Sequence, residues 1–322
     1  DEEDLGLPYN TIMPKMADAG LNIINPNNVI SLSGDKARQN RFFADLGFVP
    51  HWADSDNYSH EGGIEELEER LEPFSGVPII SKPKGESGGD GIEFRYSDEL
   101  IEDLEFEKEL QGLDGALGGY VFQAALPVSG DVRVIAFGDT PITGEVRYGR
   151  DDIDLHNLSQ MDDEMDQFEL VESGAADPVD IQEIDQAYVN AVEDMHQLML
   201  DRGYIDGENT EIFLGHDFLK VDPYEDEHDI LDYYPDRALD HILVEDYRTE
   251  DGSYLVFAET NASPGYKIDM INYEHPNQHS ALNLLKAADD FSRGWEFEPF
   301  KPGEVAEGDL ETISGRYPLT RK

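Results

Sequence analysis

The sequence contains no cysteine. Disulfides, thiolate nucleophiles and cysteine metal sites are therefore excluded, and nothing points to a redox compartment. It is also poor in positive charge: 23 lysines and arginines face 72 acidic residues, for a net charge of -49, and only ten of the cations are lysine. A field of that sign repels nucleic acid and anionic membranes, so neither is expected as a partner. No apolar run approaches the roughly 18 residues of a membrane span, and no signal-peptide pattern opens the chain. Methionine is missing from the first position, which is Asp1, and the expectation is that an upstream part precedes it.

What is present argues for a folded protein. Over 322 residues the chain keeps 39% apolar and 10% aromatic residues, which a disordered acidic chain would not, and it has room for two or three subdomains. The acidic residues are spread along the whole length. That pattern fits adaptation to molar salt, where the Debye length falls to about 3 Å at 1 M and self-repulsion is screened. The expected setting is the cytoplasm of a salt-accumulating halophile, or a larger particle of which this chain is a component.

The most informative stretch is Pro78 to Phe94, PIISKPKGESGGDGIEF. An apolar run with strand character delivers Lys82 and Lys84 to a loop carrying Gly85, Ser87, Gly88, Gly89 and Gly91, after which a second strand resumes at Ile92. Glycines let successive backbone N–H groups converge on one point, and two ammonium groups beside such a nest favour a polyanion. It is not a P-loop, whose lysine follows the glycines and opens a helix.

Elsewhere, Ala17 to Asn25 reads as a brief helix end running into a strand. Val29 to Leu46 reads as strand, turn and helix, with Ser33 or Asp35 as cap and Lys36 in the first turn, a position favourable only if an anion lies near. Ile64 to Leu71 and Ser97 to Leu110 are acidic helices, and Tyr120 to Leu126 is a strand. Asp131 to Phe137 and Ile142 to Tyr148 form a hairpin in which period two puts Asp131 and Arg133 on one face. Arginines such as Arg133 and Arg147 on strands of so cation-poor a chain point to bound anions. Residues 151 to 180 read as an acidic surface excursion and 222 to 240 as an acidic insert. Ile181 to Asp201 is the strongest helix, stopped by Gly203. Ile212 to Val221, Ile242 to Tyr247 and Tyr254 to Glu259 read as strands, and Ser280 to Phe291 as a helix. Glu259 and Asn261, two apart on a strand, share a side. With a carboxylate from the neighbouring strand they make hard oxygen ligands suited to Mg²⁺.

The ordered set of Lys36, Lys82 with its glycine loop, Asp131-Val-Arg133, Arg147 and Glu259-Thr-Asn261-Ala-Ser-Pro-Gly265 resembles the ATP-grasp superfamily. Within it the chain is most similar to the carboxylate-amine ligase branch, over about residues 20 to 290. The resemblance implies an α+β fold in which two subdomains clamp Mg-ATP. Residues 1–49 would be the end of an N-terminal domain with a connecting helix. Residues 50–125 would form the central subdomain, 126–295 the C-terminal one with insertions at 151–180 and 222–240, and 296–322 an irregular tail. It further implies that Lys36 and Lys82 reach ATP phosphates, that the 85–91 loop closes over them, and that Gln123, Ala124, Ala125 and Leu126 form the adenine hinge beside Asp131. Arg133 and Arg147 would face phosphate or acceptor, and Glu259 and Asn261 would hold Mg²⁺. Two residues compete as third metal ligand. Asp217 sits in a matching local motif, whereas Asp246 lies 13 residues before Glu259, near the family's usual spacing and favoured for it. The chain departs from the family at Leu155-His-Asn157, where an arginine is usual, and in its Gln-Ala-Ala hinge.

The implied activity is amide or peptide bond formation through an acylphosphate, with small-molecule or peptide carboxylates and amines as partners. The alternative is a structural subunit of an oligomer or larger assembly that retains the fold.

Overall fold

The computed structural model describes residues 22–72, 78–85, 92–112, 119–126, 130–147, 176–179, 184–206, 208–221 and 242–262, together with Ala287, Asp290, Phe291 and Arg293. Strand β1 (Ile23–Ile24) leads into helix α1 (Asn27–Ser33) and, after a one-glycine turn, into α2 (Lys36–Phe43). Then follow β2 (Trp52–Asp54), α3 (Gly63–Leu71), β3 (Pro78–Pro83), β4 (Glu93–Tyr96), α4 (Ser97–Gln111) and β5 (Tyr120–Ala124). The second half holds β6 (Gly130–Phe137), β7 (Thr140–Arg147), β8 (Ala176–Val179), α5 (Gln186–Asp201), β9 (Thr210–Glu211), β10 (Phe213–Val221) and β11 (Tyr254–Asn261). The architecture is α+β.

Two antiparallel sheets dominate, a four-stranded one in the order β2-β5-β3-β4 and a five-stranded one in the order β11-β10-β6-β7-β8. Helices α3 and α4 cover one face of the smaller sheet, where Leu67, Leu71, Leu100 and Leu104 meet Ile79, Phe122 and Ala124. Helices α1, α2 and α5 cover one face of the larger sheet. There Phe43, Val192 and Met195 pack on Val132, Val134, Leu214, Phe218 and Phe257. Strand alternation leaves the other face of each sheet for different chemistry.

Three segments differ from their sequence reading. Val29 lies in helix α1, not a strand: Pro26 fits the position before the first turn, and Val29 and Leu32 are buried together at helical spacing. Residues 242 to 247 form no strand but close in a 3₁₀ turn, Glu245–Tyr247, whose Tyr247 is buried in the helical core and donates its hydroxyl to Asp194 at 2.7 Å. Within the expected surface excursion, Ala176–Val179 extends the sheet by pairing with β7. The short β1 pairs in parallel with β9. Helix α5 starts at its Asp185 cap, whose side chain accepts the Ala187 N–H, and ends before Gly203, which takes a left-handed φ of 68°.

Candidate active site

On the face away from α1, α2 and α5, the five-stranded sheet carries a cluster of charges. Asp217 on β10 is in register with Arg133 on β6 at one side and Glu259 on β11 at the other. Arg133 donates to both Asp217 oxygens, Nε at 2.7 Å and a terminal nitrogen at 2.6 Å, a bidentate geometry that fixes both side chains. Asn261, two residues on from Glu259, pairs with Gly215 and lines the cleft on the same face. A β-bulge falls between Asp217 and Phe218, immediately beside this row.

Helix α2 brings a cation to the row. Its Asp35 cap accepts the Arg38 N–H at 3.0 Å, and the next residue, Lys36, places Nζ 3.8 Å from Glu259 Oε2. The Lys36 N–H donates to the Lys84 carbonyl at 3.3 Å, so the start of α2 is tied to the chain where the glycine loop begins. Lys82, near the end of β3, adds a second cation. Burial holds its ammonium down to about 8, the neighbouring Lys36 pushes the same way, and the charge of Glu259 resists. Glu259 is pushed up, first by burial and then by Asp217, against the pull of Lys36, Lys82 and Arg133. Two carboxylates and three cations thus share a desolvated site. Between α1, α2, Gly85 and the end of β11 lies a cleft of about 230 Å³, lined among others by Ser33, Lys36, Lys84, Glu259 and Asn261.

The two lysines of the opening motif part company. Lys84 is not directed to a ligand: its ammonium contacts Asp54 and, at 2.6 Å, Asp56, and these carboxylates raise its pKa against burial. It latches the glycine-loop base to β2. Lys82 shares a face of β3 with Ile80, which is paired to Gln123, on the side of the sheet away from α3 and α4. Gln123 is buried, and its amide nitrogen finds no hydrogen-bond partner among the described residues. Ala124 packs into the core and its N–H donates to the His51 carbonyl at 3.3 Å, while Ala125 and Leu126 continue past the strand. Asp131 is buried on β6, paired with Leu219 and with the backbone of Arg147. The Arg147 side chain, Ser87, Gly88, Gly89, Gly91 and Asn157 lie outside the described residues.

The favoured third ligand, Asp246, requires correction. It sits on the 3₁₀ turn against α5, where its carbonyl accepts from Asn190 at 3.0 Å, on the helical side of the sheet. Asp217 occupies the position across from Glu259. Spacing misled because residues 222 to 253 separate β10 from β11, so the hairpin partner of Glu259 is far away in sequence. Gln39 and His216 carried no sequence signal, yet both touch Thr260, the residue between Glu259 and Asn261. Burial pushes His216 down to about 4, so it is neutral.

No family model matches the chain, and no curated protein matches it in sequence. Solved structures are similar to it in fold, among them an ATP-grasp ligase. One is PsnB complexed with a minimal precursor, at 15% identity and a TM-score of 0.45, covering 85% of this chain and 67% of that one. Another is the D-cycloserine synthetase DcsG, at 10% identity and 0.49, covering 87% and 85%. A third is D-alanyl-alanine synthetase A from Vibrio cholerae O1 biovar eltor, at 11% identity and 0.47, covering 89% and 74%. Against PsnB complexed with its precursor, Mg and ADP, the chain spans 66% of that protein's length. Among the described residues no helix is long and apolar enough to cross a membrane.

Proposed function

We propose that this chain is an ATP-grasp carboxylate-amine ligase, joining a small-molecule or peptide carboxylate to an amine with release of ADP and phosphate. The observation that carries the reading is the convergence of Lys36 and Lys82 on the Asp217, Glu259 and Asn261 row at one cleft.

The residues fit a magnesium ion. Among the described residues no three His, Asp or Glu side chains cluster as metal ligands, but two carboxylates and an amide oxygen make a hard donor set of the kind Mg²⁺ takes together with phosphate. The elevated Glu259 supports this, because a buried carboxylate repelled by Asp217 gains most from a cation at its oxygens. When bound, Mg²⁺ would neutralise charge on the phosphates. The protein's own part is positioning. Lys36 and Lys82 hold the polyphosphate and Arg133 fixes Asp217, and such positioning and charge stabilisation are the work phosphoryl transfer asks of a protein. Transfer of the γ-phosphoryl to the carboxylate oxygen gives an acylphosphate, and amine attack at that carbon expels phosphate.

A second reading, an assembly subunit without catalysis, is favoured by one observation: Arg133 already engages both oxygens of Asp217. Incubation with ATP, Mg²⁺, hydroxylamine and pooled amino acids and peptides in molar KCl separates the two. The ligase predicts ADP and a hydroxamate dependent on an added carboxylate; tight ATP binding with neither product supports the subunit.

A further inference from the structure

Behind the charged row, on the buried face of the same two strands, lies a second polar cluster. Thr260, which with Gln39 is among the residues lining the cleft, turns its hydroxyl to His216 and is held at three atoms. Its N–H donates to Gln39 Oε1 at 2.8 Å, its carbonyl accepts from Gln39 Nε2 at 3.0 Å, and its hydroxyl hydrogen-bonds to His216 Nδ1 at 3.1 Å. Gln39 Nε2 also donates to the carbonyl of Ser33 at 2.7 Å. Gln39 is 1% exposed, Thr260 2% and His216 0%.

The cluster occupies a place where an apolar one would be cheaper. Burying amide, hydroxyl and imidazole costs free energy that their mutual hydrogen bonds only offset, and apolar side chains of similar size serve a core at least as well. Its location accounts for its presence. Strand β11 is the edge of its sheet, so the outward N–H and C=O of Thr260 have no neighbouring strand, and the Gln39 carboxamide supplies both bonds in its place. His216 and Thr260 are directly opposite in register, one residue beyond the pair Asp217 and Glu259 and on the far side of it from the bulge. A bulge lets the register slip; this contact sets it again where Asp217, Glu259 and Asn261 must align. The Ser33 bond joins the same amide to the last residue of α1, just before the turn that leads into α2 and Lys36.

We propose that Gln39, Thr260 and His216 are positioning residues: a buried bolt that fixes Glu259 and Asn261 against Asp217 and couples this row to Lys36. This rests on the metal-nucleotide reading of the cleft. They act through the strand, by way of the hydrogen bonds to the Thr260 backbone and hydroxyl.

The test is Mn²⁺-ATP binding by calorimetry in molar KCl, without turnover, on the full chain. Thr260→Val keeps the shape and removes the hydroxyl, and Gln39→Met removes both backbone contacts at similar volume. Each should weaken Mn²⁺-ATP about 10- to 100-fold, the range seen when partners behind metal ligands are lost. Thr260→Ser, which keeps the hydroxyl, should return to within about threefold of wild type. Met195→Ala, in the same core but on helix α5, should lower the melting temperature while leaving Mn²⁺-ATP affinity within twofold. If Gln39→Met does not fold, the Thr260 pair decides. Wild-type affinity in Thr260→Val, or equal weakening by Met195→Ala, would overturn the proposal. A wild-type protein that binds no Mn²⁺-ATP would instead sink the nucleotide reading, and this inference with it.

Discussion

The two faces of the five-stranded sheet are built from the same strands to opposite ends. One face carries Val132, Val134, Leu214, Phe218 and Phe257 into a core with three helices. The other carries Arg133, Asp217 and Glu259, where burial and then the neighbouring Asp217 push Glu259 toward its neutral form. The back face is organised for stability, and the front face gives some of it up. The place where the division fails is the most telling: His216 and Thr260 put polar groups on the back face directly behind the front-face row.

The contrast is broken most sharply by one substitution on each face. Phe218→Ala leaves a cavity in the core and should cost about 3 to 5 kcal/mol, read as a large drop in melting temperature. Glu259→Gln should do the reverse. It should lower ATP turnover by about 10²- to 10³-fold, the loss typical of one charge-stabilising group. It should also raise the melting temperature at neutral pH, because the folded protein holds the Glu259 pKa above its unfolded value and ionised Glu259 is a cost there. Equal destabilisation by both substitutions would erase the distinction between the faces.

A subtler effect comes from Lys82, whose ammonium is held down to about 8 in the free protein. Phosphate binding requires the charged form. Nucleotide affinity should therefore be flat below about pH 7.5 and fall as pH rises through 8, toward tenfold per unit. Stability should move the other way, rising between pH 8 and the unfolded lysine value near 10.4, because there the unfolded chain binds the extra proton. Lys82→Ala should bind ATP more than tenfold more weakly at pH 7 and lose the alkaline fall. A wild-type affinity that does not change from pH 7 to 9.5 would remove Lys82 from the phosphate site.

Much of this front face was legible because period two is a strong rule. It puts Asp131 with Arg133 and Glu259 with Asn261 from the sequence alone. Asp217 was harder, since its partnership with Glu259 spans a long intervening segment and a nearer aspartate, Asp246, mimicked the spacing of a tight hairpin. Lys84 looked equivalent to Lys82 because sequence shows charge but not partners; Asp54 and Asp56, some thirty residues earlier, claim it. Val29 read as strand because a short apolar run has no period long enough to distinguish a helix. Gln39 was invisible for a simpler reason. A lone glutamine on a helix has no pattern, and its role appears only when the edge of β11 comes to rest against it.

The measurement that bears most directly on the account is calorimetric titration of ATP into wild-type protein in molar KCl, with and without Mg²⁺. On the proposed reading, Lys36 and Lys82 would provide cations for the phosphates, while Asp217 and Glu259 would repel them until a metal lies between. The expected result is binding at least tenfold tighter with Mg²⁺ than with EDTA, a gap that closes in Glu259→Gln. Binding that is absent in both conditions, or that is equally tight without the metal, would contradict the assignment of this cleft to a magnesium-nucleotide complex.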